Sequence, residues 1–413
     1  MNQQTRKKSI LLRLLAILAA LAVMTAAAWA EEEETFTEEA AGEEGLVEEE
    51  WVELEDPEDI YDQWAHDVFY HTPNERSPYV CNHEHCFWKL NMGELNEEAI
   101  WQVLTAPVTV LKGNERHQVK VRARPEKDCE DYTGVVTCAS QCVHILEQDE
   151  DWTLIEAYSS CQEGSKIAVF ALPFQGYVET KLLEEKEVDQ QYGIVIDKLQ
   201  QRLYVFKEGK LYAVLLCSTG FPKDESTLFR ETPAGEFLMI SWVGGFWADK
   251  LYCDMGIRIN DGILIHEVPR IWKEDTQKWE YRRCEQYLGD KASHGCIRVQ
   301  KEKTPEGVNA KWLWDNLSRN PCTKVIIWDE IDRELMYPDD DLVLYYNPGG
   351  GENYHSQPTC RLVLEKYEPM QPFLYSQLDE KPFSKLGRCP GCSPQLRREE
   401  IDTMNAKNTR KGN

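Results

Sequence analysis

The sequence predicts a mostly β protein centred on a β sandwich, and three observations carry that reading. Short apolar runs bounded by turn residues follow one another from Ala106 to about Glu330, as the strands of a sheet do. Among them, Val119 and Val121 alternate with Lys120 and Arg122, the period of two of a half-buried strand. A single good helix, Val308 to Leu317, stands inside the strand-dense second half. Sheets must therefore bury one another's faces.

The 413 residues leave room for two or three domains. Residues 1–30 place a basic Arg6-Lys7-Lys8 before an apolar stretch, Leu14 to Ala28, and a small-residue site at Ala28-Trp29-Ala30. That is the layout of a secretory signal peptide cleaved near Ala30. An uncleaved membrane anchor is the alternative, but the apolar stretch is short against the ~20 residues a span needs. Residues 31–59 hold sixteen Asp and Glu and no Lys or Arg. Like charges keep such a block solvated, so it reads as a disordered spacer. With a net charge of −26, nucleic acid is excluded as a partner, because phosphate binding needs concentrated Lys and Arg.

Residues 60–105 form a connecting segment containing Cys81-Asn82-His83-Glu84-His85-Cys86. Four ligands this close would strain around one tetrahedral ion, which favours disulfides over zinc. Leu95 to Leu104 has helical spacing, with Leu95, Ile100, Val103 and Leu104 on one face. Residues 106–185 turn to short strands around Val119–Arg122, Val135-Val136, Val143–Leu146, Trp152–Ile155 and Gly176–Val178. Cys129, Cys138, Cys142 and Cys161 fall here, where disulfides would support a small core. The chain has fourteen cysteines. If Cys296 must stay free, thirteen remain, so either a second thiol is free or some cysteines hold metal.

Residues 190–332 carry the sandwich. Gly193–Asp197 and Leu203–Phe206 are apolar strands, Lys207-Glu208-Gly209-Lys210 is a hairpin turn, and Leu211–Thr219, Phe237–Ile240 and Ile257–Ile259 follow. Residues 340–397 hold His355, Cys360 and a Cys389-Pro390-Gly391-Cys392 knuckle. One His and three Cys make a structural zinc set, with paired disulfides as the alternative. Residues 398–413 are polar and read as a disordered tail.

The chemistry-bearing segment is Ser293-His294-Gly295-Cys296-Ile297-Arg298, with Gly262-Ile263-Leu264-Ile265-His266 upstream as a short strand ending in a histidine. Gly295 allows a tight turn, and the Gly295 and Cys296 amides could face a developing oxyanion. A thiol beside an imidazole is the arrangement of an activated nucleophile. His266 and His294 are both candidate bases, since on an extended chain His294 would share a face with Cys296.

These segments resemble the L,D-transpeptidase catalytic domain (YkuD-type), in which a His is followed by Ser/Thr-His-Gly-Cys and then Asn or Arg. The resemblance runs through His266, Ser293, His294, Gly295, Cys296 and Arg298, the approach Leu288-Gly289-Asp290-Lys291-Ala292, and Thr232-Pro233-Ala234-Gly235-Glu236-Phe237. It implies an L,D-transpeptidase-type β-sandwich with one or two helices, covering about Gln191 to Glu330. The stretch between His266 and Ser293 is longer than the family's, and Trp272 to Arg283 reads as a lid or loop insertion. Upstream, Val119–Pro125, Asp151-Trp152 and Gly176-Tyr177-Val178 resemble a bacterial SH3 domain, which implies a small barrel with wall-binding as its expected role; a barrel whose aromatics only fill its core is the alternative.

The resemblance implies acyl transfer through a cysteine thioester on peptidoglycan stem peptides, in a secreted or wall-associated protein with no cofactor for catalysis. Cys296 is the implied nucleophile and His266 its base, with an imidazolium lowering the thiol's pKa. His294 supports near the oxyanion, Ser293 orders the turn, and Arg298 clamps a stem carboxylate or forms a surface salt bridge. Water in place of an amine acceptor would make the enzyme an L,D-carboxypeptidase. A wall-binding protein with an inert domain is the reading outside enzymology.

Overall fold

The computed structural model describes residues 96–158, 173–221, 231–330, 333–360, 363–389 and 391–408. The signal peptide, the acidic tract, the Cys81–Cys86 cluster and Cys161 lie outside the described residues.

Helix α1 (Glu97–Thr105) is capped by Asn96, whose side chain accepts from the Ala99 amide, and it buries Ile100, Val103 and Leu104. These do not belong to a separate connecting segment. They pack on Val195, Phe206 and Ile326 of the second sheet described below, and Glu97 accepts from the Leu211 amide at 2.8 Å.

Strands β1 (Val108–Leu111), β2 (Gln118–Arg122), β3 (Tyr132–Thr137), β4 (Cys142–Gln148), β5 (Trp152–Tyr158), β6 (Pro173–Glu179) and β7 (Leu183–Lys186) form one sheet in the order β3-β2-β6-β5-β4-β1-β7. Its antiparallel pairs alternate an inner face of Leu111, Val121, Val136, Val143, Ile155 and Val178 against outer polar residues. The cysteines correct the disulfide expectation: all eleven among the described residues are free. Cys138 packs among Val121 and Val136, whereas Cys142 packs with Val110 and Leu238 in a different cluster. Each fills apolar space as a small hydrophobe.

The second sheet has nine strands: β8 (Val188–Asp197), β9 (Arg202–Lys207), β10 (Lys210–Ser218), β11 (Gly235–Leu238), β12 (Ser241–Ala248), β13 (Leu251–Asn260), β14 (Ile263–Glu267), and, past a small β15 (Ile271–Lys273) and β16 (Lys278–Glu280) hairpin and helix α2 (Arg282–Glu285), β17 (Ile297–Val299) and, after helix α3 (Ala310–Asn316), β18 (Cys322–Trp328). The order is β11-β18-β8-β9-β10-β17-β14-β13-β12. Its outermost strands, β11 and β12, are separated in sequence only by Met239 and Ile240, so the sheet must curl until its two edges meet. At that junction the Met239 amide donates to the Thr323 carbonyl of β18 at 3.0 Å and the Ile240 amide to the Arg258 carbonyl of β13 at 3.1 Å. Both leaves then enclose one core, in which Ile194, Leu203, Phe237, Ile257, Ile265 and Ile327 meet Leu313 of α3. The Gly193–Ile196 half of β8 is covered on both faces, by this core and by α1, which is why it runs apolar without alternation.

Strands β19 (Val343–Tyr346), β20 (Asn353–His355), β21 (Gln371–Leu374) and β22 (Gly387–Arg388) make a four-stranded sheet ordered β21-β19-β20-β22 over Leu344, Tyr354, Phe373 and Phe383. The tail is not disordered throughout: Arg398–Asn408 is helix α4. Ile401 is buried, and the Asn405 side chain bonds the Leu335 amide and carbonyl. Those anchors hold a segment whose composition alone reads as frayed.

Candidate active site and a His/Cys cluster

The parallel pairing of β14 with β17 builds the site. Ile265 is the register partner of Ile297, and His266 of Arg298. Partners across a sheet share a face, and alternate residues along a strand return to it. His266 and Arg298 therefore stand side by side, and Cys296 lies in the bend just before β17, its sulfur reaching the Gly262 carbonyl just before β14.

Gly295 takes φ +111, a conformation open to glycine and strained for other residues. The turn is pinned from three directions. Ser293 Oγ donates to the Cys296 carbonyl and accepts from the Gly295 amide at 3.2 Å. Thr232 Oγ1 donates to the Gly295 carbonyl at 2.7 Å and accepts from the Gly220 amide at 2.8 Å. Arg298 donates from one guanidinium nitrogen to the Ala292 carbonyl at 2.9 Å, so part of this side chain braces the turn, and among the described residues no carboxylate forms a salt bridge with it.

His294 departs from the sequence reading. Residues 294–296 form a bend, not extended chain, so the shared face with Cys296 is lost. His294 is exposed and its ring lies 5.7 Å from that of Phe221.

His266 is buried, with Nδ1 2.7 Å from the Glu267 carbonyl. A carbonyl only accepts, so Nδ1 carries the proton and Nε2 of the neutral ring keeps its lone pair. Burial, joined by the Arg298 cation and opposed by the Glu267 carbonyl, lowers its pKa to about 4. Phe246 packs edge-on against the ring at 5.5 Å. The Cys296 thiol is half-buried, 3.6 Å from the Gly262 carbonyl. Burial raises its pKa, against the pull of the Leu264 amide, Arg298 and Arg258. Both shifts favour the neutral thiol and neutral imidazole. This corrects the expectation of a resting thiolate–imidazolium pair: desolvation outweighs the neighbouring charges.

The insertion between His266 and Ser293 is the β15–β16 hairpin with α2. Trp272 and Trp279 from this hairpin join Trp247 and Tyr252 of β12 and β13, with ring centroids 5.2–6.0 Å apart. Arg270 lies over Tyr252 and Trp279 at 5.0 and 4.9 Å. Trp247 is 59% exposed, so this aromatic ledge is open to solvent. Sequence reasoning missed this ledge, because Gly244 and Gly245 interrupt the strand pattern of β12.

Two other clusters stand apart from the thiol. Lys198 is wholly buried with its Nζ 2.7, 2.9 and 3.2 Å from Glu231, Asp329 and Glu330. The ammonium fills the place among those carboxylates, and Lys291, on the approach to the motif, pairs with Glu330. In the C-terminal sheet, His355, Cys360, Cys389 and Cys392 bring their ligand atoms within 4.8 Å of one another, as a metal set requires.

A family model described as the L,D-transpeptidase catalytic domain matches residues 191–327. That segment of the chain is an L,D-transpeptidase catalytic domain. No curated protein matches the chain. Among solved structures, an L,D-transpeptidase from Xylanimonas cellulosilytica is similar at 18% identity over 33% of this chain and 60% of that one, with a TM-score of 0.24. One from Stackebrandtia nassauensis is similar at 18% identity over 35% and 58%, with a TM-score of 0.24. One from Mycobacterium tuberculosis is similar at 18% identity over 38% and 72%, with a TM-score of 0.25. The chain thus spans about three fifths of the first two.

Proposed function

We propose that the protein is an exported L,D-transpeptidase that modifies peptidoglycan through a Cys296 acyl-enzyme. The observation that carries the chemistry is the hydrogen bond from His266 Nδ1 to the Glu267 carbonyl, which leaves Nε2 free to accept a proton, on the same strand whose Leu264 amide reaches the Cys296 sulfur. His266 takes the thiol proton as the sulfur attacks the carbonyl of the third, diamino-acid residue of a tetrapeptide stem. The bond to the terminal D-alanine breaks, and His266 returns the proton to the leaving amine. An amine of a neighbouring stem then attacks the thioester and gives a 3→3 link, its proton passing back through His266 to the sulfur. The Cys296 amide receives the oxyanion, the Gly295 amide being bonded to Ser293 Oγ, and Arg298 stands where a stem carboxylate can meet its cation. Export follows from the signal-peptide layout of residues 1–30, and wall-binding by the first sheet from its SH3-like segments.

The test is mass spectrometry of the mature protein incubated with a purified disaccharide-tetrapeptide, beside Cys296→Ala. Dimers with a 3→3 link in the wild type alone are expected. Cys296-dependent tripeptide without dimer would instead make it a carboxypeptidase, and product independent of Cys296 would overturn the mechanism.

A further inference from the structure

We propose that His355, Cys360, Cys389 and Cys392 bind one zinc ion, and that this ion holds in place the segment delivering Cys296. The second half rests on reading Cys296 as the nucleophile.

The ligand geometry carries the first half. Cys360 and Cys389 Sγ lie 3.7 Å apart and Cys392 Sγ lies 3.6 Å from His355 Nδ1. Four ligands with zinc bonds of ~2.0–2.3 Å define a tetrahedron whose edges are about 3.5–3.8 Å. A disulfide needs sulfurs at about 2 Å. Thiolate and imidazole together select zinc over the oxygen-loving cations. The surrounding amides suit charged sulfur: the Gly391 amide donates to Cys389 Sγ at 3.3 Å and the Ser356 amide to Cys392 Sγ at 3.4 Å. Such donors orient ligands and offset thiolate charge. The ligands come from β20, a loop, and the turn after β22, and the parallel register of Tyr354 with Arg388 sets His355 beside Cys389.

The second half follows from what the knuckle touches. Arg388, next to Cys389, donates to Asp290 at 3.4 Å, to the Pro394 carbonyl at 2.7 Å and to Ser393 Oγ. Gly289 has φ +94, and a Cβ there would lie 2.4 Å from Ser393 Oγ and 3.4 Å from the Arg388 guanidinium. Gly289 and Asp290 open the run that ends at Cys296. Beyond them, the Ala292 and Ser293 amides bond the Thr219 carbonyl at 3.0 Å. One side of this run is held by β10 and the other by the knuckle. Without an ion, the knuckle's turn keeps only hydrogen bonds such as that from the Ser393 amide to the Cys389 carbonyl at 2.9 Å, and Arg388 and Ser393 are held less firmly against Gly289.

The experiment uses the full chain purified under reducing conditions, with metal content by mass spectrometry, cobalt substitution, and amide hydrogen exchange of residues 288–296. Wild type and Arg388→Ala are expected to hold about one zinc per chain and to show the thiolate-to-cobalt absorption of a tetrahedral site; Cys392→Ser is expected to lose both. Exchange at residues 289–296 should quicken roughly tenfold in Cys392→Ser and in Arg388→Ala alike, while β8 stays protected. Reduced wild type without zinc or cobalt absorption overturns the site. Zinc loss with unchanged exchange overturns the coupling. Neither readout involves turnover, so the failure of either half is distinguishable from a failure of the acyl-transfer reading.

Discussion

His144 Nε2 on β4 lies 2.9 Å from Glu236 on β11, and Glu236 also meets Lys324 on β18 at 2.6 Å. This buried triad fastens the first sheet to the catalytic sheet at the strand that follows Thr232-Pro233-Ala234-Gly235. Burial works against the Glu236 carboxylate, but Lys324 and His144 outweigh it and hold its pKa at about 2, from an ordinary 4.5.

Stability should therefore depend on acid in a defined window. A carboxylate with a depressed native pKa stabilises fully above its unfolded value and loses that contribution as pH falls through the native one. The loss is expected between about pH 4.5 and 2 and amounts to ~3 kcal/mol. Glu236→Gln should be less stable than wild type at pH 7 and flatter across that window. Urea melts at stepped pH check it, and parallel curves for the two proteins would refute it.

Catalysis should tolerate acid better than an ordinary histidine allows. With its pKa at about 4, His266 is already the free base by pH 5.5. The expected kcat/KM profile is flat from about pH 5.5 to 7 and falls only toward pH 4. An acid limb centred near 6.5 would mean another group is the base. His266→Ala should lower kcat by about 10²–10⁴-fold.

Gly295→Ala tests the turn. An L side chain at φ +111 strains the backbone by about 1–2 kcal/mol, a cost the domain can absorb. The turn's amides would move, and kcat should drop by roughly 10²-fold. Circular dichroism separates this from unfolding. Unchanged turnover would remove the turn from the oxyanion site.

Lys198→Met addresses the buried carboxylates. Three acidic groups would lose their shared cation, and breaking such a buried set costs about 3–5 kcal/mol. A thermal melt should show one of the largest single-residue losses in the chain. Little change would mean that water or protons neutralise the cluster.

Much of this was legible in local pattern. The apolar runs at Gly193–Asp197 and Leu203–Phe206 became β8 and β9, and the helix read over Val308 to Leu317 is α3 at Ala310–Asn316. The cysteine, the histidine and the His/Cys set were visible as residue types. What escaped depends on distance in sequence. Thr232 reaches Gly295, Lys198 reaches Glu330, and the Leu264 amide reaches the sulfur of Cys296, none of which leaves a periodic signal. The face assigned to His294 failed because one glycine with positive φ ends the alternation. The acid–base states failed because spacing carries no information about desolvation.

The packing of α1 has a consequence for anyone dividing this protein. A fragment trimmed to residues 191–327 would keep every chemical group yet strip Ile100, Val103 and Leu104 from Val195, Phe206 and Ile326. It would also expel the carbonyl of Val103 from Lys324, which now donates to it at 2.7 Å. Such a fragment would present a bare aliphatic strip to water and self-associate. The smallest piece that keeps this packing begins before Glu97, ahead of the first sheet, so the second sheet is wrapped by chain from both sides of the module inserted into it.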